Sequence, residues 1–242
     1  MKLFVFQKGF NYSQDGPGNR LVYHLSGCSL RCPWCSNPEG LSFGGGKIMT
    51  VASLLDLALS CRMMFFDGGG VTLTGGEATM QFEAVKEFLT ALHQEGIHTT
   101  LETNGLNPRL PELFPVVDYL IMDYKHHDAE IHRRITGASN TLTRRNIDLA
   151  LDAGKSPAVR IPLIGGFNAS KEDAHKFAAA FQELGLPGRG TVELLCYHEY
   201  GKDKYAAHGM EYTMTADARI SPEILQYFEH TLTDAGLTLI RT

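Results

Sequence analysis

Apolar residues recur along this chain with two different periods. Short β-rich runs bounded by glycine or proline predict strands, and apolar positions three and four residues apart predict amphipathic helices. The predicted strands cover residues 2–6, 20–25, 70–74, 98–103, 119–124, 158–163, 191–196 and 237–240. The predicted helices follow Thr50, cover residues 80–94 and 142–153, and begin after Ser170 and after Ser221.

The strands and helices alternate from residue 20 onward, which is typical of a parallel sheet with right-handed crossovers. About six strand–helix units are present, whereas a closed barrel of this kind has eight. We therefore expect an α/β fold, a partial (β/α)6 barrel. Residues 43–47 are expected to be a flexible link, and no composition shift divides the chain, so residues 1–242 are expected to form one domain.

Three of the five cysteines lie within eight residues, as Cys28, Cys32 and Cys35 in the spacing C-x3-C-x2-C. Three thiolates on one loop can ligate three irons of a [4Fe–4S] cluster and leave the fourth iron open. A zinc site is the alternative, although no second C-x2-C or H-x3-H pair follows. Cys61 and Cys196 are isolated in apolar surroundings and are interpreted as core cysteines.

Polar side chains stand where the predicted strands end, and ligands of parallel α/β proteins bind beyond that edge. These groups are Gly75-Gly76-Glu77, Glu102-Thr103-Asn104, Asp123-Tyr124-Lys125, Arg160 and Tyr197-His198-Glu199. Gly75 and Gly76 allow close approach of a ligand, or form an ordinary turn. Because Arg160 lies between two apolar residues, it needs a partner, either in the site or in a structural ion pair with a strand-end acid.

The cysteine motif, with Trp34 before its last cysteine, resembles the radical S-adenosylmethionine (SAM) superfamily. Further stretches are similar to the glycyl radical enzyme activating enzymes, and most of all to the pyruvate formate-lyase group. They are Asp15-Gly16-Pro17-Gly18, residues 27–35, 68–77, 95–99 and 102–105, Asp123-Tyr124-Lys125, and residues 197–202.

The resemblance implies a function, cofactors and partners. The open iron would bind SAM, whose reductive cleavage releases a 5′-deoxyadenosyl radical, and this radical would abstract the α-hydrogen of a glycine in a partner glycyl radical enzyme. Flavodoxin or ferredoxin is the expected electron donor. A radical SAM enzyme acting on a small molecule, similar to 7-carboxy-7-deazaguanine synthase, is the alternative function, and a zinc-binding interaction module is the alternative from another class.

The resemblance also implies roles for individual residues. Cys28, Cys32 and Cys35 would ligate the cluster, and Lys125 and Arg160 are the candidate catalytic residues. Glu102, Thr103 and Asp123 match a site for a monovalent cation, and the loop of Asp15, Gly16, Pro17 and Gly18 is the candidate docking site of the partner. The candidate SAM-binding residues are Trp34, Ser36, Gly75, Gly76, Glu77, Asp123, Tyr124, Lys125 and His198.

Two departures from the family pattern qualify the resemblance. Glu102 stands where the family has aspartate, which changes the geometry of the cation site by one methylene. The run Cys35-Ser36-Asn37-Pro38-Glu39 looks more like the activating enzymes of glycyl radical dehydratases and decarboxylases. Those usually carry a ferredoxin-like insert after this motif, but residues 40–50 contain no cysteine, so no such insert is expected.

Composition excludes several other classes. A net charge of -5 gives no indication of nucleic-acid binding. No apolar run approaches the ~20 residues of a membrane span, and residues 1–7 do not form a signal peptide. Free cysteines without an export signal predict a cytoplasmic protein, and an open iron–sulfur cluster predicts an anaerobic setting.

Overall fold

The computed structural model describes residues 1–241 and shows nine strands and seven α-helices in that range. The strands are β1 (Lys2–Tyr12), β2 (Asn19–Leu25), β3 (Lys47–Thr50), β4 (Gly70–Gly75), β5 (His98–Thr103), β6 (Tyr119–Asp123), β7 (Ala158–Leu163), β8 (Thr191–Cys196) and β9 (Thr238–Ile240). The helices are α1 (Val51–Ser60), α2 (Phe82–Gln94), α3 (Ala129–Thr136), α4 (Thr141–Asp152), α5 (Lys171–Glu183), α6 (Lys202–Ala207) and α7 (Pro222–Asp234).

All nine strands form one sheet in the order β3-β1-β2-β4-β5-β6-β7-β8-β9. The strands from β2 to β9 in this order run parallel, whereas β1 pairs antiparallel with both β2 and β3. β3 and β9 are the two edges of the sheet and do not pair with each other, so the barrel stays open. The expected α/β partial barrel is confirmed.

Alternation along each strand separates an apolar outer face from a polar inner face. On β4, Val71 and Leu73 belong to the hydrophobic core that the helices cover. Thr72, between them, points the other way and donates a hydrogen bond to the carbonyl oxygen of Asp15 (2.7 Å). The inner face therefore carries polar groups that the outer core does not have to accommodate.

Helix starts follow the capping residues predicted from the sequence. Thr50 accepts a hydrogen bond from the amide of Ser53, and Ser221 accepts one from the amide of Ile224. Ser170 and Asp173 form a reciprocal capping box at the start of α5. These local signals were sufficient to place three helices within one or two residues.

The structure corrects the sequence prediction at four places. β1 continues to Tyr12, well beyond residue 6, because its second half pairs with β2. The supposed flexible link runs into β3, which pairs with the start of β1. α3 and α6 were not predicted, since both are short and rich in polar residues.

Among residues 1–241, no helix has the length and apolarity needed to cross a membrane.

Candidate active site

The loop of residues 26–37, here called the cysteine loop, leaves β2 at the carboxyl edge of the sheet. Backbone hydrogen bonds tie it to the surrounding chain. The amide of Gly27 donates to the carbonyl of Gly40 (2.8 Å), and the amide of Arg31 donates to the carbonyl of Thr136 at the end of α3 (2.7 Å). The loop thus lies between separate parts of the fold, which hold its shape.

Cys28, Cys32 and Cys35 are free thiols that line one cavity of about 250 Å³. Burial raises the pKa of Cys28 to about 11 and that of Cys32 to about 12, and it also raises the pKa of Cys35. Without added positive charge these thiols stay protonated at neutral pH. Thiolates here need a metal cation beside them, and three sulfurs on one short loop fit three irons of a [4Fe–4S] cluster.

Strand ends bring most of the predicted residues to the same cavity. Besides the cysteines, its lining includes Asp15, Trp34, Ser36, Gly75, Gly76, Glu77, Glu102, Thr103, Asp123, Lys125 and His198. A Cβ on Gly76 would overlap the carbonyl oxygens of Gly27 and Gly40, so only glycine fits between these loops. Parallel strand direction therefore gathers residues that are up to 183 positions apart in the sequence, from Asp15 to His198.

Asp123 and Lys125 form an ion pair inside the cavity, with 2.7 Å between Oδ2 and Nζ. Burial alone would lower the pKa of Lys125, but Asp123 and the nearby thiols raise it, so the ammonium group stays charged. Asn168 holds this turn by donating to the carbonyl of Lys125 (2.7 Å). Lys125 thus presents a positive charge beside the cysteines, suitable for a ligand carboxylate.

Arg160 lies behind the cavity wall and does not line it. Its guanidinium pairs with Glu102 (2.8 Å) and Glu193 (2.6 Å), and it also donates to the carbonyl oxygen of Gln14. Three acceptors hold this side chain, and its catalytic role stays a prediction. Of the two interpretations derived from the sequence, the structural ion pair is the one observed.

The candidate cation ligands already have partners within the protein. The second oxygen of Glu102 accepts a hydrogen bond from Thr74 (2.9 Å). The hydroxyl of Thr103 donates to Glu77 (2.8 Å), and Asp123 is paired with Lys125. The first oxygen of Glu102 pairs with Arg160 (2.8 Å).

Tyr124 does not contribute its side chain to the cavity. Strand alternation turns its ring to the helical side, where it is buried against Phe177 and Phe181 of α5. Its role in cofactor binding stays a prediction, and its side chain does not line the cavity. Glu77 does line the cavity, but its buried carboxylate also caps the turn at Thr79 and accepts from the amide of Asn104.

Two aromatic candidates, Trp34 and His198, line the cavity. Trp34 packs against Phe167, with ring centroids 4.7 Å apart. His198 stacks on Tyr200 at 3.7 Å, and burial lowers the pKa of His198, so this imidazole is neutral at physiological pH. Both rings line the cavity and are available to pack against a nucleoside.

The loop of Asp15, Gly16, Pro17 and Gly18 folds against the inner face of the sheet. Arg20 donates to the carbonyl of Pro17 (2.9 Å), and the carboxylate of Asp15 accepts from Asn11 (2.5 Å). Of the four residues, only Asp15 lines the cavity. The loop therefore reaches the site through one carboxylate and is otherwise held by the barrel.

Sequence reasoning missed His24, a polar residue of the cavity, and it assigned Cys196 to the core, although Cys196 at the end of β8 is exposed and lines the cavity. His24 lies on β2 and Asn104 directly follows β5, so strand periodicity was the available signal. The Nδ1 atom of His24 and the Nδ2 atom of Asn104 are buried without a hydrogen-bond partner among the described residues. Burial lowers the pKa of His24, which leaves a neutral ring facing the cavity.

An open parallel barrel with three cysteines at its carboxyl edge is the arrangement expected of a radical SAM protein. Comparison with known proteins supports this class. The model of the Radical SAM superfamily matches residues 22–178. In solved structures, a radical SAM methyltransferase from Sphaerobacter thermophilus superposes with a TM-score of 0.66 at 19% identity, over 96% of this chain and 72% of the other. A domain of pyruvate-formate lyase-activating enzyme from Bacteroides vulgatus superposes with a TM-score of 0.58 at 28% identity, over 72% of this chain and 98% of that domain.

Relatives of known function indicate which family within the radical SAM superfamily the chain belongs to. Pyruvate formate-lyase 1-activating enzyme of Escherichia coli (strain K12) is 36% identical over 205 residues, which covers 83% of this chain and 82% of the relative. Choline trimethylamine-lyase activating enzyme of Oleidesulfovibrio alaskensis is 29% identical, over 94% of this chain and 93% of the relative. The chain therefore belongs to the radical SAM superfamily and, within it, to the family of glycyl radical enzyme activating enzymes.

The alignment with choline trimethylamine-lyase activating enzyme also bears on the ferredoxin-like insert that the sequence analysis does not expect in this chain. It runs over 292 positions, more than the 242 residues of this chain, so that relative carries additional residues inside the matched region. In this chain, residues 38–50 pass directly from a short 3-10 turn into β3 and α1.

Proposed function

We propose that this protein is an activating enzyme that generates a radical on a glycine residue of a partner glycyl radical enzyme. The observation that carries the proposal is the cavity itself, where three thiols and a charged lysine lie together at the open end of a partial barrel. Membership of the radical SAM superfamily implies a [4Fe–4S] cluster and SAM as cofactors. When bound and reduced, these cofactors supply a 5′-deoxyadenosyl radical that abstracts hydrogen.

The residues of this chain bind and orient the parts. Cys28, Cys32 and Cys35 would hold three irons, and the open fourth iron would be free for SAM. Lys125 would attract the SAM carboxylate, with Asp123 keeping the ammonium group charged and directed into the cavity. Gly76 would let the ligand approach the backbone, and the rings of Trp34 and His198 would flank its nucleoside.

The open side of the barrel supports a polypeptide substrate. Because β3 and β9 do not pair, the sheet leaves a lateral opening along the inner face. Asp15 extends the polar lining toward the loop that the family resemblance assigns to partner docking. A glycine-bearing loop of the partner would enter here and place its α-carbon near the SAM-binding residues.

The proposal includes two finer points. A reduced flavodoxin or ferredoxin would supply the electron, since only three of the free cysteines among residues 1–241 lie together on one loop. A monovalent cation near Asp123 would have to share ligands that already bind Lys125, Arg160 or Glu77. The cation therefore depends on rearrangement of these contacts when SAM binds.

The deciding experiment is anaerobic reconstitution with iron and sulfide, followed by incubation with SAM, dithionite and a candidate glycyl radical enzyme. We expect a glycyl radical signal in electron paramagnetic resonance and an equal amount of 5′-deoxyadenosine. Rapid formation of 5′-deoxyadenosine without any protein partner would instead support the small-molecule alternative. A colourless protein with stoichiometric zinc would overturn the cluster assignment.

A matched pair of cysteine variants sharpens this test. Cys32→Ala should abolish the visible absorbance of the cluster and SAM cleavage, because two thiolates cannot hold a stable [4Fe–4S] cluster. Cys61→Ala should retain both, since Cys61 packs against the hydrophobic core, outside the cysteine loop. Retained cleavage in Cys32→Ala would contradict the ligand assignment.

A further inference from the structure

His24 stands on the inner face of β2, four residues before the first cysteine of the cysteine loop. Strand alternation fixes this direction, because its neighbour Tyr23 points outward and packs against Phe88 of α2. The imidazole of His24 is partly exposed and lines the same cavity as the three cysteines. Neither ring nitrogen hydrogen-bonds to any residue in the range 1–241. Since Nδ1 is fully buried, Nε2 is the nitrogen that a ligand in the cavity can reach.

The polar groups beside His24 are already bonded to one another. β2 and β4 pair in register, with His24 next to Thr74. The hydroxyl of Thr74 donates to Glu102 (2.9 Å), and the other oxygen of Glu102 accepts from Arg160 (2.8 Å). His24 is left out of this network. A buried polar atom without a partner destabilises a fold, so its presence here calls for an explanation.

Packing alone does not explain an imidazole at this position. The ring lies against Phe6 of β1, with centroids 5.7 Å apart. A phenyl ring would make the same contact without burying a polar nitrogen. Burial lowers the pKa of His24, so the ring is neutral and carries one N–H donor and one acceptor nitrogen. The side chain is therefore suited to a neutral polar ligand that enters the cavity.

The glycine loop of a partner presents a ligand of this kind. Glycine has no side chain, so the target residue can be recognised only through the N–H and C=O groups of its main chain. A neutral imidazole complements either group.

The charged neighbours of His24 place it on the docking side of the cavity. They are Asp15, Glu39 and Lys204. Asp15 belongs to the loop that the family resemblance assigns to partner docking, and Glu39 pairs with Lys204 (2.8 Å). None of these three is a candidate SAM-binding residue. A polypeptide that reaches Asp15 therefore passes His24.

We propose that His24 is a substrate-binding residue whose Nε2 atom hydrogen-bonds the main chain of the partner's glycine loop beside the target glycine. This inference rests on the proposed function, because it requires a polypeptide in the cavity. The contact is a hydrogen bond, without transfer of atoms or electrons, and it holds the loop against the inner face of β2.

The kinetics of glycyl radical formation test this contact. The reconstituted protein is incubated with SAM, dithionite and rising concentrations of the glycyl radical enzyme that it activates, and the radical is quantified by electron paramagnetic resonance. We expect His24→Phe to raise the KM for the partner about tenfold, with a smaller change in kcat, because one hydrogen bond is lost while the ring packing remains.

Two amide variants and a control locate the contact on the ring. His24→Gln places an amide where Nε2 stood and should restore KM to within about threefold of the wild type, whereas the shorter His24→Asn should not. His93→Phe is the matched control, since His93 is exposed on α2 and does not line the cavity. A high KM in His24→Gln, or an equal rise in His93→Phe, would contradict the assignment.

Two measurements without the partner test other roles for His24. The dissociation constant for SAM, measured by isothermal titration calorimetry, should be the same in the wild type and in His24→Phe. A tenfold loss would assign the imidazole to the cofactor instead. His24→Phe should also unfold at the same or a higher temperature than the wild type, because it leaves no buried nitrogen unpaired. A lower unfolding temperature would indicate a structural role.

Failure of this inference differs from failure of the proposed function. If the wild type forms no glycyl radical on any partner tested, the proposed function is overturned and this inference with it. If the wild type forms the radical and His24→Phe does so with an unchanged KM, only the role of His24 is overturned.

Discussion

Two buried cations, Lys125 just after β6 and Arg160 within the neighbouring strand β7, differ in the number of groups that hold them. Lys125 has one partner, Asp123, and both line the cavity. Arg160 has two carboxylates and a backbone carbonyl, and it lies outside the cavity lining. The comparison shows that the fold leaves Lys125 with donors available to a ligand, whereas the three acceptors around Arg160 already engage its guanidinium group.

The largest expected effect is on the stability of the fold and comes from removing the side chain of Arg160. Arg160→Ala leaves the carboxylates of Glu102 and Glu193 without their buried partner, and we expect a loss of about 3–5 kcal/mol in the free energy of unfolding. Chemical denaturation monitored by circular dichroism measures this loss. If Arg160→Ala unfolds like the wild type but fails to cleave SAM, Arg160 belongs to the catalytic machinery after all.

Removing the side chain of Lys125 should weaken SAM binding and have less effect on the stability of the fold. Lys125→Ala is expected to weaken SAM binding about 10- to 100-fold, because the charge-assisted contact with the carboxylate is lost. Isothermal titration calorimetry of the reconstituted protein with SAM measures the dissociation constant. Lys125→Arg is the matched variant and should bind with intermediate affinity, since it keeps the charge but changes the donor geometry.

Acid should weaken the turn that carries Lys125. Burial lowers the pKa of His126 to about 4, and its two nitrogens bond the amide of Asp128 (2.8 Å) and the carbonyl of Phe167 (3.1 Å). The unfolded chain protonates this imidazole near pH 6.5, so stability falls as pH drops from 6.5 toward 4, by about 1–3 kcal/mol. Thermal unfolding measured between pH 6.5 and pH 4 tests whether stability falls with pH as expected.

A variant without the titrating group provides the control for this pH dependence. His126→Gln should show a flatter profile, although the neutral rings of His24 and His198 contribute in the same direction. A wild-type protein that becomes more stable as the pH falls from 6.5 to 4 would contradict the assignment of a buried neutral His126.

The smallest expected effect concerns the monovalent cation. Because Arg160 already supplies positive charge at Glu102, replacing potassium by choline should change the rate of SAM cleavage by less than about twofold. Glu102→Asp is the informative partner experiment, since the shorter side chain frees a position for a cation. A strong potassium requirement in the wild type would show that SAM binding displaces Arg160 from Glu102.

Local signals predicted much of this molecule correctly. The period of apolar residues placed the parallel strands, and the caps at Thr50, Ser170 and Ser221 placed the start of three helices. α3 was missed because it has only eight residues, most of them polar, and its apolar face consists of little more than Ile131 and Ile135. Yet α3 braces the cysteine loop, since the carbonyl of Thr136 accepts a hydrogen bond from the amide of Arg31.

By itself, the sequence determined the chemistry that depends on near neighbours: three thiols in eight residues, glycines at strand ends, and alternation that separates polar from apolar faces. Tertiary structure alone decided which strand-end charges are free and which are engaged. Pairing of Arg160 with Glu102 and Glu193 depends on strand register and side-chain length, across 58 and 33 positions. Such distant contacts leave no periodic trace in the sequence, because each partner taken alone is an ordinary charged residue.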